Sequence, residues 1–175
     1  MRAATVDDID QLQALEVEAG QAFADWGMPE IAAHAPPSAA EFQTYIDLGQ
    51  AWVTLALTPD CAERIAGFVL VDRVDGCAHI EQLSVHPNYK GQRLGAGLID
   101  WVAHWAVTQR LTALTLTTFV QPPWNAPYYQ RCGFRALTAA QQTPGLTDLR
   151  AHEAELGLDA WPRVCMRREL SSTQR

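Results

Sequence analysis

His79-Ile80-Glu81-Gln82-Leu83-Ser84-Val85-His86-Pro87-Asn88-Tyr89-Lys90-Gly91-Gln92-Arg93-Leu94-Gly95-Ala96-Gly97-Leu98 changes character twice. Cys77–Val85 reads as a strand, His86-Pro87 interrupts it, and three glycines follow in quick succession. From Gly95 onward Leu98, Trp101, Val102, Trp105 and Ala106 recur as an apolar stripe at helical spacing, ending near Gln109-Arg110. A strand, a Gly-rich turn and a helix start point several backbone N–H groups at one spot, where the helix dipole reinforces them and a phosphate is held. Gly91, Gly95 and Gly97 remove side chains where a bulky anion must approach the backbone. On the glycines alone, a tight strand-to-helix connection is an equally good reading. The P-loop pattern GxxxxGK[ST] is absent, and so is the dinucleotide pattern GxGxxG.

Outward from this junction the elements follow in both directions. Before it, Ala51–Leu57, Arg64–Val71 and Cys77–Val85 are strands, separated by Thr58-Pro59-Asp60 and by a link containing Asp75-Gly76, a strong tight-turn signal. Such short links predict an antiparallel meander. Earlier still, Thr5 or Asp7 caps a helix over about residues 7–20 carrying Ile9, Leu12, Leu15 and Val17. Phe23–Ala40 reads as loop with a short helix, and Ala39–Leu48 as helix. After the junction, Leu111–Thr118 is a strand, Asn125–Cys132 a short helix, Gly133-Phe134 the start of a strand, Pro144–Gly157 a late helix and Arg163–Leu170 a final strand. This order predicts an α/β fold with a mixed sheet and helices on both faces. One domain over residues 1–170 is expected, with 171–175 as a frayed tail.

The chain has 175 residues, 48% of them hydrophobic, enough for one core. Its formal charge of -7, from 13 Lys+Arg and 20 Asp+Glu, disfavours nonspecific binding to nucleic acid or anionic lipid. A cationic small molecule or peptide suits that field better. Cys61, Cys77, Cys132 and Cys165 stand singly, which indicates neither a metal site nor a disulfide framework. With no apolar run near the roughly 20 residues of a bilayer span and no apolar signal core, a soluble cytoplasmic protein is expected.

Two motifs carry a resemblance. Leu83-Ser84-Val85-His86-Pro87 followed by Lys90-Gly91-Gln92-Arg93-Leu94-Gly95 resembles the strand and [QR]xxGx[GA] pyrophosphate loop of the GNAT superfamily of N-acetyltransferases. Lys90 stands for the usual Gln or Arg, and Arg93 for the first Gly. About 30 residues on, Tyr129-Gln130-Arg131-Cys132-Gly133-Phe134 is similar to the family's Tyr-x-x-x-Gly-Phe, preceded by Pro123-Trp124-Asn125-Ala126-Pro127-Tyr128. Arg2-Ala3-Ala4-Thr5 before Asp7-Asp8 also looks like the family's first strand and helix.

The resemblance implies a mostly antiparallel GNAT-like sheet splayed between the fourth and fifth strands, with pantetheine in the gap and acetyl-CoA as acetyl donor. Leu83, Ser84 and Val85 would give it main-chain contacts. Lys90, Gly91, Gln92, Arg93, Leu94, Gly95 and Ala96 would hold the pyrophosphate, the Arg93 N–H serving as well as glycine's provided the turn is right-handed there. Asn125 either reaches the cofactor or caps a helix. Glu81 is the candidate base for the acceptor amine, with hydrogen bonding to a neighbour as its structural alternative and His79 in reserve. Tyr129 is the candidate acid for the departing thiolate, while Tyr128, Trp101 and Trp105 read as core. Glu16, Glu18 and Asp25 read as a solvated helix face that could also attract a cation. The implied reaction is direct attack by a primary amine of a small molecule or peptide in a ternary complex, without metal; a homodimer is common among such folds. A noncatalytic acyl-CoA-binding regulatory module and a purely structural domain are the alternatives.

Overall fold

The computed structural model describes residues 1–57 and 62–170. The Thr58-Pro59-Asp60 link, Cys61 and the 171–175 tail lie outside the described residues. Strands β1 (Arg2–Ala3), β2 (Ala51–Leu57), β3 (Glu63–Val74), β4 (Cys77–Val85), β5 (Ala113–Phe119), β6 (Arg135–Ala136) and β7 (Arg163–Glu169) alternate with helices α1 (Ile9–Gly20), α2 (Pro29–Ala32), α3 (Ala39–Asp47), α4 (Leu94–Thr108), α5 (Ala126–Arg131) and α6 (Pro144–Glu155). The strands form one seven-stranded sheet in the order β1-β2-β3-β4-β5-β7-β6. Pairs β1–β2, β2–β3, β5–β7 and β6–β7 are antiparallel and β4–β5 is parallel, matching the mixed, mostly antiparallel sheet read from the sequence.

Two compact units emerge from the contacts, one of Met1–Val71 with Gln82–Asp100 and one of Asp72–Glu81 with Trp101–Arg175. In the first, Ile9, Leu12 and Leu15 from α1 and Phe42 from α3 pack with Val53 of β2 and Phe68 and Leu70 of β3. Phe42 and Phe68 meet edge-to-face at 5.5 Å. Each such side chain contributes about 1.5–3 kcal/mol on burial, so the core rather than helix propensity holds α1 and α3. Val17, counted in the apolar stripe, is exposed instead. The entry to α1 is fixed by Asp8, which accepts the Thr5 N–H at 2.8 Å and both Arg2 Nη groups at 2.7 and 2.8 Å.

The register of β2 and β3 shifts between Thr54 and Leu55, which pair with Gly67 and Ile65 and leave Ala66 as a bulge. The Ala66 carbonyl accepts the His86 N–H at 2.8 Å, just past the end of β4. Beside it, a Cβ on Gly67 would lie 2.8 Å from the Ser84 carbonyl oxygen. Only glycine lets these two backbones approach so closely.

In the second unit Asp75 (φ 47) and Gly76 (φ 74) form the two-residue turn that joins β3 to β4. So compact a turn lets β3 run to Val74, three residues beyond the expected end. Asp75 Oδ2 accepts the Gly145 N–H at 2.7 Å, and a Cβ on Gly145 would strike Val74 and Asp75. The hairpin thus anchors the start of α6. Leu146, Leu137 and Cys165 form the local core there. Trp101, expected in the core, is 41% exposed: the apolar stripe of α4 is wider than the surface that covers it. The strand expected to begin at Gly133-Phe134 is the two-residue β6.

Candidate functional site

In the first unit β4 leads through a short 3-10 turn, Pro87–Tyr89, into the Gly-rich loop and α4. Gly97 N–H donates to the Arg93 carbonyl at 3.0 Å. The helical ladder therefore starts there, and the N–H groups of Leu94, Gly95 and Ala96 precede it, as at any helix N-terminus. The Lys90 and Gln92 amides turn inward to the Pro87 and Tyr89 carbonyls at 3.2 and 3.3 Å. Arg93 departs from the expected right-handed turn, with φ 59. It occupies the left-handed conformation for which the motif supplies glycine, at a cost of about 1–2 kcal/mol. A Cβ on Gly97 would meet the tip of the Met1 side chain, Cε, at 2.8 Å.

The strand leading to that loop carries an unexpected partner from α1. Glu16 accepts hydrogen bonds from the Ser84 hydroxyl and from Gln82 Nε2, the latter at 2.8 Å. Gln82 also donates to Ser84 Oγ at 3.0 Å. Burial raises the Glu16 carboxyl above its ordinary value, although both donors pull it down. The sequence offered only an acidic helix residue here, because its partners lie far along the chain. Its neighbour Glu18 meets His86 at 2.9 Å.

The second unit holds Glu81 and its neighbours. The parallel partners of β4 and β5 are Ala78 with Leu114 and His79 with Thr115, and Glu81 comes two residues later. His79 is buried, its Nδ1 lies 3.0 Å from Thr115 Oγ1, and its Nε2 lies 3.8 Å from Glu81 Oε2. Desolvation lowers its imidazole to about 4, so it is neutral at pH 7. The Glu81 side chain keeps 46% of its surface open. Surrounding protein still removes much of its water, and desolvation, followed by the like charges of Asp72 and Glu153, raises its carboxyl to about 7. Arg163 and His152 act in the opposite sense.

Glu153 is itself held by three side chains. Arg163 donates to it at 2.9 and 3.1 Å, Thr117 and Arg150 also donate, and Arg163 reaches Thr117 at 3.1 Å. Burial alone would raise its carboxyl, but the Arg163 charge and these hydrogen bonds outweigh it and leave it lowered. Arg163 lies 4.4 Å above the Phe119 ring. His152 also lines a cavity of about 440 Å³ with Arg73, Asp75 and Asp148.

Asn125 immediately precedes α5, which carries Tyr129, and the Tyr129 N–H donates to the Asn125 carbonyl at 3.1 Å. The Asn125 side chain makes no cap bond. Its Nδ2 donates to Thr118 Oγ1 at 2.7 Å, while Oδ1 is buried without a partner among the described residues. Rotating the amide would exchange the two atoms, so one polar atom is orphaned in either assignment. Such an atom, left unsatisfied, costs about 1–3 kcal/mol. Tyr129 is buried, with ring contacts to Tyr128 at 5.5 Å and Phe134 at 5.7 Å. Burial, then Cys132, pushes the Tyr128 hydroxyl up.

The structure thus brings Glu81 near His79 and places Asn125 at the start of the helix that carries Tyr129. Thr115, Asp72, Glu153 and Arg163 were missed, having no local signature in the chain.

A family model described as the acetyltransferase (GNAT) family matches residues 19–134. Among solved structures, the PaiA N-acetyltransferase of Thermoplasma acidophilum in complex with coenzyme A is similar at 14% identity, with 96% of each chain covered and a TM-score of 0.65. Rv2747 of Mycobacterium tuberculosis, also in complex with CoA, aligns over 97% of this chain and 98% of its own at 16% identity and a TM-score of 0.67. A GNAT-family acetyltransferase of Staphylococcus aureus Mu50 aligns over 98% of both chains at 14% identity and a TM-score of 0.69. At these identities the likeness establishes a common fold. With the family model spanning more than half of its length, the chain belongs to the acetyltransferase (GNAT) family.

Proposed function

We propose that the protein is an N-acetyltransferase that moves the acetyl group of acetyl-CoA to a primary amine of a small molecule or peptide by direct attack, with Glu81 as base and Tyr129 as acid. The observation that carries this reading is Glu81: a half-open carboxylate on β4, raised to about 7 among Asp72 and Glu153. A base titrating near neutrality is matched to an ammonium that must lose its proton before it can attack. The negative charge around it also favours a cationic acceptor.

Acetyl-CoA supplies a thioester carbonyl and a thiolate leaving group. On this reading the Leu94, Gly95 and Ala96 N–H groups, with Gly91, Gln92, Arg93 and the Lys90 side chain around them, hold its pyrophosphate. Leu83, Ser84 and Val85 offer main-chain groups to its pantetheine arm. The orphaned polar atom of Asn125 supports the fit, because that arm carries amide donors and acceptors. Glu81 takes the amine's proton, directly or through water, and Tyr129 donates one to the departing sulfur.

Among the described residues no helix is long and apolar enough to cross a membrane. A cytoplasmic location is proposed from the single, spaced cysteines. The test is CoA thiol release over a panel of amino acids, polyamines, aminoglycosides and peptides. At least one amine should give turnover that depends on both substrates, whereas acetyl-CoA binding without turnover across the panel would reduce the protein to a cofactor-binding module.

A further inference from the structure

His79 is too buried to meet a substrate, yet one ring nitrogen bonds Thr115 and the other faces the Glu81 carboxylate across a gap longer than a hydrogen bond. Thr115 Oγ1 lies 3.0 Å from Nδ1, and Glu81 Oε2 lies 3.8 Å from Nε2. His79 and Thr115 are cross-strand partners, so backbone pairing sets the first distance. The Thr115 side chain is also buried, and a buried hydroxyl proton needs an acceptor. Nδ1 is the acceptor that it meets. If Thr115 donates to Nδ1, the neutral ring carries its proton on Nε2, the nitrogen that faces the Glu81 carboxylate. The opposite tautomer strands the Thr115 proton and turns a lone pair toward an anion. Both ends of the ring therefore select one tautomer.

We infer that Thr115 and His79 are positioning residues for Glu81: the Thr115 hydroxyl fixes the His79 ring so that its Nε2–H dipole points at the Glu81 carboxylate and favours it. The inference rests on the proposed role of Glu81 as base. The other charged groups facing this pair are Asp72 from β3, His152 and Glu153 from α6, and Arg163 from β7. Asp72 and Glu153 favour the protonated acid, so the Nε2–H works against them. It keeps a carboxylate available near neutral pH in an environment that would otherwise hold the proton more tightly.

The first readout is the tautomer of His79 in the ¹⁵N-labelled full chain, by long-range ¹H–¹⁵N correlation at pH 7. Protonated Nε2 with bare Nδ1 is expected; a protonated Nδ1 overturns the inference. The second is the titration midpoint of the Glu81 carboxyl carbon, which is read without any catalysis. His79→Leu should raise it by about one pH unit, tenfold in proton affinity. His79→Gln, which returns an N–H near the former Nε2, should restore it. Thr115→Val should move it in the same direction as His79→Leu, and Thr115→Ser should bring it back. These two variants decide the matter if His79→Leu does not fold. A midpoint indifferent to His79→Leu, or to Thr115→Val, overturns the inference. Failure of the base assignment looks different: Glu81→Gln would keep full activity while the Glu81 midpoint still responded to His79.

Discussion

Arg163 grips Glu153 through two hydrogen bonds of 2.9 and 3.1 Å, with both side chains largely buried, at 9% and 15% exposure. This pair keeps a negative charge beside Glu81 that would otherwise be protonated or solvated. In Glu153→Gln the like charge disappears and the Arg163 cation is released, and both changes favour the Glu81 carboxylate. The acidic limb of the kcat/KM profile should therefore move below its wild-type midpoint near 7. Because one partner of a buried pair is left uncompensated, the variant should also lose about 3 kcal/mol in urea unfolding. A limb that stays in place would detach Glu153 from the site's electrostatics.

Asp8 tests the N-terminal anchor. Its carboxyl is held at about 2, chiefly by the Arg2 hydrogen bonds, against an ordinary value of 3.8. A depressed folded value means stability that is present above about pH 4 and is lost as pH falls through about 2. With Arg2 41% exposed and its charge partly screened, the contribution is about 1–2 kcal/mol. Asp8→Ala should show that loss at pH 7 by denaturant unfolding, and the difference from wild type should shrink steadily as pH falls from about 4 toward 2.

The strand-turn-helix reading, the tight Asp75-Gly76 turn and most element boundaries were legible because they are local: periodicity, glycine and proline act over a few residues. Arg93 shows where that locality fails. A loop motif records which residue stands at a position, whereas the handedness of the turn is set by how β4 and α4 are joined. Glu16 and Glu153 were illegible for a different reason. Their partners Ser84 and Thr117 lie 68 and 36 residues away in sequence, and an acidic residue on a helix looks the same whether solvated or buried.

Arg93→Gly should relieve the left-handed strain of about 1–2 kcal/mol and return about 0.4–1 kcal/mol of it through glycine's freedom in the unfolded chain. A net gain of about 0–1.6 kcal/mol is expected, a rise in Tm of at most about 3–6 °C. Arg93→Val, β-branched in the same conformation, should lower Tm. The reverse order in thermal melts would mean that φ 59 carries no strain.

Tyr129→Phe removes one hydroxyl and keeps the ring between Tyr128 and Phe134. If that hydroxyl protonates the leaving thiolate, kcat should fall by about 10²–10⁴-fold where chemistry limits turnover. Calorimetric affinity for acetyl-CoA should change by no more than about one hydrogen bond, 0.5–1.5 kcal/mol. Lost affinity with undiminished kcat would make Tyr129 a cofactor contact.

The most direct measurement is the pH dependence of kcat/KM for wild type and Glu81→Gln, with the best amine from the panel. For wild type, activity should rise with pH through about 7 as Glu81 ionises. Glu81→Gln should lose this limb, fall by about 10²–10⁴-fold near pH 7, and recover in part toward the amine's own pKa, near 10 for an alkyl ammonium, as free amine becomes abundant. A folded Glu81→Gln variant with the wild-type profile and rate would contradict the account, because the amine would then lose its proton somewhere else.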